Sequence, residues 1–151
     1  MPKYHYRYRK PQRRHFPVRL ALVLLALLAL CIYPFIEART LTVDEHTVQV
    51  ANLPANLKNL KIVYATDIHQ GRWFSQSRVN ELVKTINGLS ADLVILGGDY
   101  AEDSDGAIEF FENLPSISAR IGVYAVLGNH DRTEPESNLS VLIGTIKGRG
   151  I

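Results

Sequence analysis

Cysteine occurs once in this chain, at Cys31, so neither an intrachain disulfide nor a cysteine-built zinc site is available. That residue falls inside an apolar run and reads as a small hydrophobe, with palmitoylation as the alternative. Acid is missing before Glu37, whereas seven basic residues (Lys3, Arg7, Arg9, Lys10, Arg13, Arg14 and Arg19) crowd the same stretch. The formal charge of +2 therefore hides an asymmetry, because the remainder carries 10 basic and 15 acidic side chains, a formal −5. A mildly acidic body argues against a general nucleic-acid-binding surface, and no nucleic-acid partner is expected. No internal repeat or low-complexity tract is present. With 151 residues there is room for one domain beside any membrane segment.

One long uncharged run is present. Leu20 to Ile36 contains 17 residues without a charge, at the lower limit of about 17 for crossing a bilayer. Including Phe16 to Val18 lengthens the span if Arg19 snorkels toward the interface. Tyr33 and Phe35 suit interfacial anchors, and Pro34 falls near the final turn. A cleaved signal peptide has an apolar core of about 7–15 residues ending in small side chains. The bulky Ile36 at position −3 of Ile36-Glu37-Ala38 makes a poor cleavage site. The expectation is an uncleaved, single-pass membrane anchor at residues 20–36, with a basic cytoplasmic tail at 1–19 and the body emerging on the opposite side. Arg13-Arg14-His15-Phe16 also fits the core of a twin-arginine export signal, although Pro17 stands where leucine is usual. Tyr4, Tyr6 and Tyr8 alternate with His5, Arg7 and Arg9, a pattern better suited to lipid headgroups than to RNA at this position.

Beyond the anchor, residues 41–50 alternate and predict an early strand, with His46 as a surface histidine in its polar middle. Asn52-Leu53-Pro54 breaks that pattern. Apolar runs at 60–65, 93–96 and 123–127 predict buried strands. Val79, Leu82, Val83, Ile86 and Leu89 carry helical spacing, with Ser75 or Ser77 as the cap and Gly88 near the C′ position. Ala107, Ile108, Phe111 and Leu114 trace a second helix, and Leu139, Leu142, Ile143 and Ile146 a third, followed by Gly148. The order βαβαβα predicts a parallel-rich α/β domain over residues 39–151.

Each buried strand ends in a chemically loaded motif: Asp67-Ile68-His69, then Gly98-Asp99, then Gly128-Asn129-His130-Asp131. The steps of 32 residues from 67 to 99 and 30 from 99 to 129 match strand–helix–strand units on neighbouring strands. In open α/β sheets that C-terminal edge is where ligands bind. Carboxylates and imidazole converging there suit divalent metals better than a Ser-His-Asp triad. Singly, Asp67 is a strand-end cap and Asn129 a turn residue. Their serial order carries the signal. Arg72 and Trp73 follow the first motif as a surface loop, with substrate contact as the alternative.

These motifs resemble the calcineurin-like metallophosphoesterase superfamily, with its D-x-H, G-D and G-N-H-[DE] signature. The lead-in is similar to a membrane-anchored subgroup of small bacterial phosphoesterases. The resemblance implies the N-terminal half of a four-layer α/β/β/α sandwich, preceded by one transmembrane helix. It implies Asp67 and His69 on a first metal, Asp99 bridging two divalent ions (Mn2+, Zn2+ or Fe2+), and Asn129 on the second. His130 would be catalytic, beside the phosphate, with Glu102 or Asp103 as its carboxylate partner. A hydroxide bridging the metals would attack a phosphomonoester or phosphodiester, and the anchor suggests a lipid-linked substrate at a bacterial cell membrane.

The family also draws ligands from later Gly-His and Gly-His-x-His motifs. The histidines here are His5, His15, His46, His69 and His130. The sequence ends at Gly150-Ile151, where that family's next strand would begin, so the expectation is a partial domain. An inactive, membrane-tethered stub or interaction module is the alternative function. A nuclease related to DNA-repair phosphoesterases is disfavoured by the acidic body and the anchor.

Overall fold

The computed structural model describes residues 18–37, 39–133 and 136–151, so the tyrosine-rich tail and the Arg13-Arg14 motif lie outside the described residues. The chain divides into two units, residues 1–46 and 47–151. In the first, α1 (Val18–Glu37) is a 20-residue helix that includes Pro34. It is long and apolar enough to cross a membrane. Residues 41–50 form no strand; they are exposed and pair with nothing in a ladder. Alternation around a polar centre does not make a strand without a sheet edge to receive it.

The second unit begins with a single 3-10 turn at Ala55–Leu57 and then builds three strands: β1 (Ile62–Ala65), β2 (Leu93–Leu96) and β3 (Gly122–Ala125). They pair in parallel in the order β1-β2-β3. Helices α2 (Gln76–Gly88) and α3 (Ser104–Asn113) connect them, and α4 (Glu136–Gly148) follows β3. The register aligns Val63, Val94 and Val123 in one row and Ala65, Leu96 and Ala125 in another. Both rows belong to the core with Val79, Val83 and Ile86 of α2, Ala107, Phe110 and Phe111 of α3, and Leu142 and Ile146 of α4. Tyr100, Phe110 and Phe111 are fully buried, with ring centroids 4.6–5.3 Å apart. Burying each such ring contributes about 2–3 kcal/mol.

The opposite face of the sheet presents Ile62, Tyr64 and Tyr124, each more than half exposed. A strand buried on both faces is thus not what residues 60–65 and 123–127 form among the described residues. One helical layer and one sheet correspond to half of a four-layer sandwich, with the other face of the sheet uncovered among the described residues.

Two helix ends differ from the glycine expectation. Gly88 and Gly148 are the last helical residues, and the left-handed residues come two positions later, at Ser90 (φ 52°) and Gly150 (φ 77°). After α4 the N–H groups of Gly150 and Ile151 donate to the carbonyls of Lys147 and Ile146 at 3.0 and 3.4 Å, a Schellman end. Ser90 fills the equivalent place with a Cβ that disfavours it. At the N-terminal edge of the sheet, Asp92 accepts the Lys61 N–H at 2.9 Å and the Arg120 Nε–H at 2.6 Å, tying the entries of β1 and β3 to that of β2.

Ser90→Gly is expected to stabilise the protein by about 0.5–1 kcal/mol, because glycine removes the left-handed penalty and gives part of it back as unfolded-state entropy; urea unfolding measures it. The Lys61 N–H bond first, and Arg120 second, hold the Asp92 carboxyl below its ordinary value of 3.8. A lowered native pKa contributes stability that is complete above about pH 4 and disappears as pH falls through the native value. The stability gap between wild type and Asp92→Asn should therefore close progressively in urea melts taken below pH 4.

Candidate metal centre

The ladder between β1 and β2 does not stop where the strands end. Gly97 N–H donates to Ala65 O at 2.7 Å, Asp67 N–H to Gly98 O at 3.1 Å, His69 N–H to Asp99 O at 3.0 Å and Gln70 N–H to Tyr100 O at 2.7 Å. Two motif-bearing loops are thereby zipped side by side. Their backbone is unusual: Asp67, His69 and Asp99 all lie in the left-handed region, at φ 53°, 45° and 53°. Non-glycine residues seldom adopt that region, and each costs on the order of 1 kcal/mol unless its surroundings enforce it. Such residues cluster at functional sites. Ile68, between the first two, is buried in the core.

The third loop is locked to the second by a group that the motif reading left without a role. Asp131 is completely buried, and its carboxylate accepts three backbone N–H groups: Asp99 at 2.8 Å, Gly128 at 2.8 Å and Tyr100 at 3.0 Å. Asp99 Oδ1 in turn accepts the His130 N–H at 3.1 Å. Close approach of the loops requires glycine on both sides. A Cβ on Gly98, itself at φ 97°, would strike the Gly128 backbone, and one on Gly128 would strike the Asp99 carboxylate. Tyr100 completes the lock with its hydroxyl, whose single proton is shared between the carbonyls of Val126 at 2.7 Å and Leu96 at 3.0 Å. Burial, reinforced by the Asp131 charge, pushes the Tyr100 phenol far above its ordinary value, so it is a neutral donor.

The ligand atoms of Asp67, His69 and Asp99 lie within 4.8 Å of one another. Two carboxylates and an imidazole, arriving from two strand ends on enforced backbone, are a donor set that fits a divalent ion. Asn129 opens the 3-10 turn His130–Arg132 on the same rim; it is exposed and makes no cap bond with its side chain. The His130 ring lies edge-on to that of His69 at 5.0 Å. Its Nδ1 faces the backbone carbonyl of Glu102 at 3.0 Å rather than a carboxylate. Asp103 is engaged elsewhere, capping α3 by accepting the Gly106 N–H at 2.8 Å. Arg72 stacks over Trp73 at 5.6 Å, and Trp73 is 78 % exposed, as a surface-loop pair would be.

Asp131 was hidden by its company. A carboxylate after Gly-Asn-His reads as one more polar turn residue, and only the number of N–H groups gathered where two glycine turns meet marks it as a buried acceptor.

Residues 60–147 match the family of calcineurin-like phosphoesterases. A transmembrane protein with metallophosphoesterase domain from Danio rerio is 32 % identical over 114 residues, covering 74 % of this chain and 26 % of that protein. An uncharacterized metallophosphoesterase of Campylobacter jejuni is 30 % identical over 111 residues, 73 % of this chain and 29 % of its own length. Another, YkuE of Bacillus subtilis, is 26 % identical over 100 residues, 64 % of this chain and 35 % of its own. The chain thus spans about a quarter to a third of the length of these relatives. No solved structure matches it.

Asp131→Asn keeps the shape but replaces part of an acceptor by an NH2 that faces backbone donors. It is expected to cost about 2–3 kcal/mol of stability in urea unfolding. A loss below about 0.5 kcal/mol would show that the three N–H bonds do not hold the loops together.

Proposed function

From membership of the calcineurin-like phosphoesterase family, whose members are metal-dependent phosphoric ester hydrolases, we propose that Asp67, His69, Asp99 and Asn129 hold two divalent ions and that His130 acts on the phosphate ester. The observation that carries this reading is the convergence of Asp67, His69 and Asp99 on backbone held in the left-handed region. When bound, two such ions neutralise phosphoryl charge and lower the pKa of a coordinated water toward neutrality.

The residues of the chain then have distinct tasks. Asp99, placed between the loops, would be a carboxylate ligand available to both ions. One of its oxygens is oriented by the His130 N–H, which leaves the other free of that bond. Asp67 and His69 would hold the first ion, and Asn129 would offer a neutral carbonyl to the second. With His130 Nδ1 donating to the Glu102 carbonyl, the proton that the ring gives or takes is at Nε2. From there it hydrogen-bonds a phosphoryl oxygen or protonates the leaving group. Mn2+, Zn2+ and Fe2+ all accept this mixture of oxygen and imidazole.

The apolar helix α1 and the relatives named as transmembrane proteins point to a membrane protein. We assign residues 1–19 to a basic cytoplasmic tail, 20–36 to the span and 39–151 to the extracytoplasmic catalytic portion, on the asymmetry of basic residues. A phosphate ester presented at a membrane surface, lipid-linked, is the substrate class that this placement favours.

In lipid nanodiscs the protein is expected to take up Mn2+, read by calorimetry and by loss of the free-ion electron paramagnetic resonance signal. Uptake should fall at least about tenfold in Asp67→Asn and in Asp99→Asn. Hydrolysis of bis-p-nitrophenyl phosphate should require added Mn2+, stop with EDTA, and drop about 100-fold in His130→Ala with Mn2+ uptake intact. Equal Mn2+ uptake by wild type and both aspartate variants would remove the basis of the assignment.

A further inference from the structure

His69 belongs to two groups of converging side chains. Besides Asp67 and Asp99, it meets Glu102 and His130, again with all ligand atoms within 4.8 Å. The second group has a different chemistry: two imidazoles and one carboxylate, against one imidazole and two carboxylates. We propose that His69, Glu102 and His130 form a second zinc site that shares His69 with the first set, and that zinc bound there inhibits the phosphoesterase centre. The site stands on this geometry alone; its inhibitory effect rests on the function proposed above.

Three observations support it. First, His69 Nδ1 lies 3.8 Å from Glu102 Oε1, close to the roughly 3.4 Å that separates two ligands on one tetrahedral zinc with bonds of about 2.0–2.1 Å. Second, His130 Nδ1 faces the Glu102 backbone carbonyl at 3.0 Å. A ring that donates its Nδ1 proton to a carbonyl presents the Nε2 lone pair, the arrangement by which metal-binding histidines are commonly oriented. Third, the Glu102 side chain is 71 % exposed and close to Gly71, whose Cβ position lies 3.9 Å from Glu102 Cγ. An ion can therefore reach this set from solvent without opening the core.

Inhibition follows from counting lone pairs. A neutral imidazole carries one lone pair and one N–H, so the His69 ring serves one ion at a time. Zinc on the Glu102 side takes His69 from the Asp67–Asp99 set. It also occupies the Nε2 atom of His130, the atom assigned to proton transfer. Borderline Zn2+ favours the imidazole-rich set, whereas Mn2+ favours the carboxylate-rich one.

The test is calorimetry of the nanodisc-embedded protein with Zn2+ and, separately, Mn2+. Zn2+ affinity is expected to fall at least about tenfold in Glu102→Gln and in His130→Ala, while Mn2+ affinity is unchanged in both. Asp67→Asn should do the reverse. Glu102→Gln alters an exposed side chain and leaves the backbone carbonyl in place, so folding is not at stake, and circular dichroism confirms it. Zn2+ at a filling concentration should slow Mn2+-dependent hydrolysis in wild type and do so at least about tenfold less effectively in Glu102→Gln. Zn2+ affinity indifferent to Glu102→Gln and His130→Ala but sensitive to Asp67→Asn would overturn the proposal, since zinc would then merely replace manganese in the first set. Loss of Mn2+ binding specificity for Asp67 and Asp99, with the zinc pattern intact, would instead sink the phosphoesterase reading and leave the zinc site standing.

Discussion

Everything on the sheet's functional rim hangs on the buried carboxylate of Asp131. Three N–H groups from two separate loops point at one side chain. A buried carboxylate is costly when bare, yet charge-assisted bonds to several N–H groups offset that cost and fix the positions of the donors. Because one of those donors is the N–H of Asp99 itself, the anchor acts directly on the residue that joins two of the three motifs. Burial first, and the Asp131 carboxylate second, push the neighbouring Tyr100 phenol upward, so it stays a protonated donor.

The fold and the rim were legible to different degrees. The helical spacing of Val79, Val83 and Ile86 gave a helix whose buried face is those residues, because amphipathic periodicity records burial directly. Strand positions were also readable, since aliphatic runs bounded by glycine and polar turns leave few alternatives. Residues 41–50 misled because strand propensity is a statement about a receiving edge as much as about the segment. Helix ends misled by two residues at Gly88, since the left-handed position fell on Ser90, which local pattern does not favour.

At the site, residue types and order identified the ligand candidates, but not their conformations. Nothing in Asp67-Ile68-His69 announces two left-handed residues flanking a buried isoleucine. That geometry is imposed by the ladder running on past the strands, a long-range feature absent from the local sequence. The partner of His130 was legible only by residue number. A carboxylate was expected near Glu102 or Asp103, and it is the Glu102 main chain that meets Nδ1. Backbone carbonyls leave no trace in residue identity, so contacts of this kind are found only in three dimensions.

The same economy explains why the rim is built under tension. Asp67 and Asp99 bring their carboxylates together while both backbones occupy the left-handed region. The torsions are unfavourable, so the isolated rim opposes its own assembly. The ladder bonds and Asp131 overcome that opposition, at the expense of overall stability. A dication bound only by the folded form would add its binding free energy to folding. On the metal reading proposed above, strain here is the physical expression of preorganisation: Asp67, His69 and Asp99 are held together before a cation arrives.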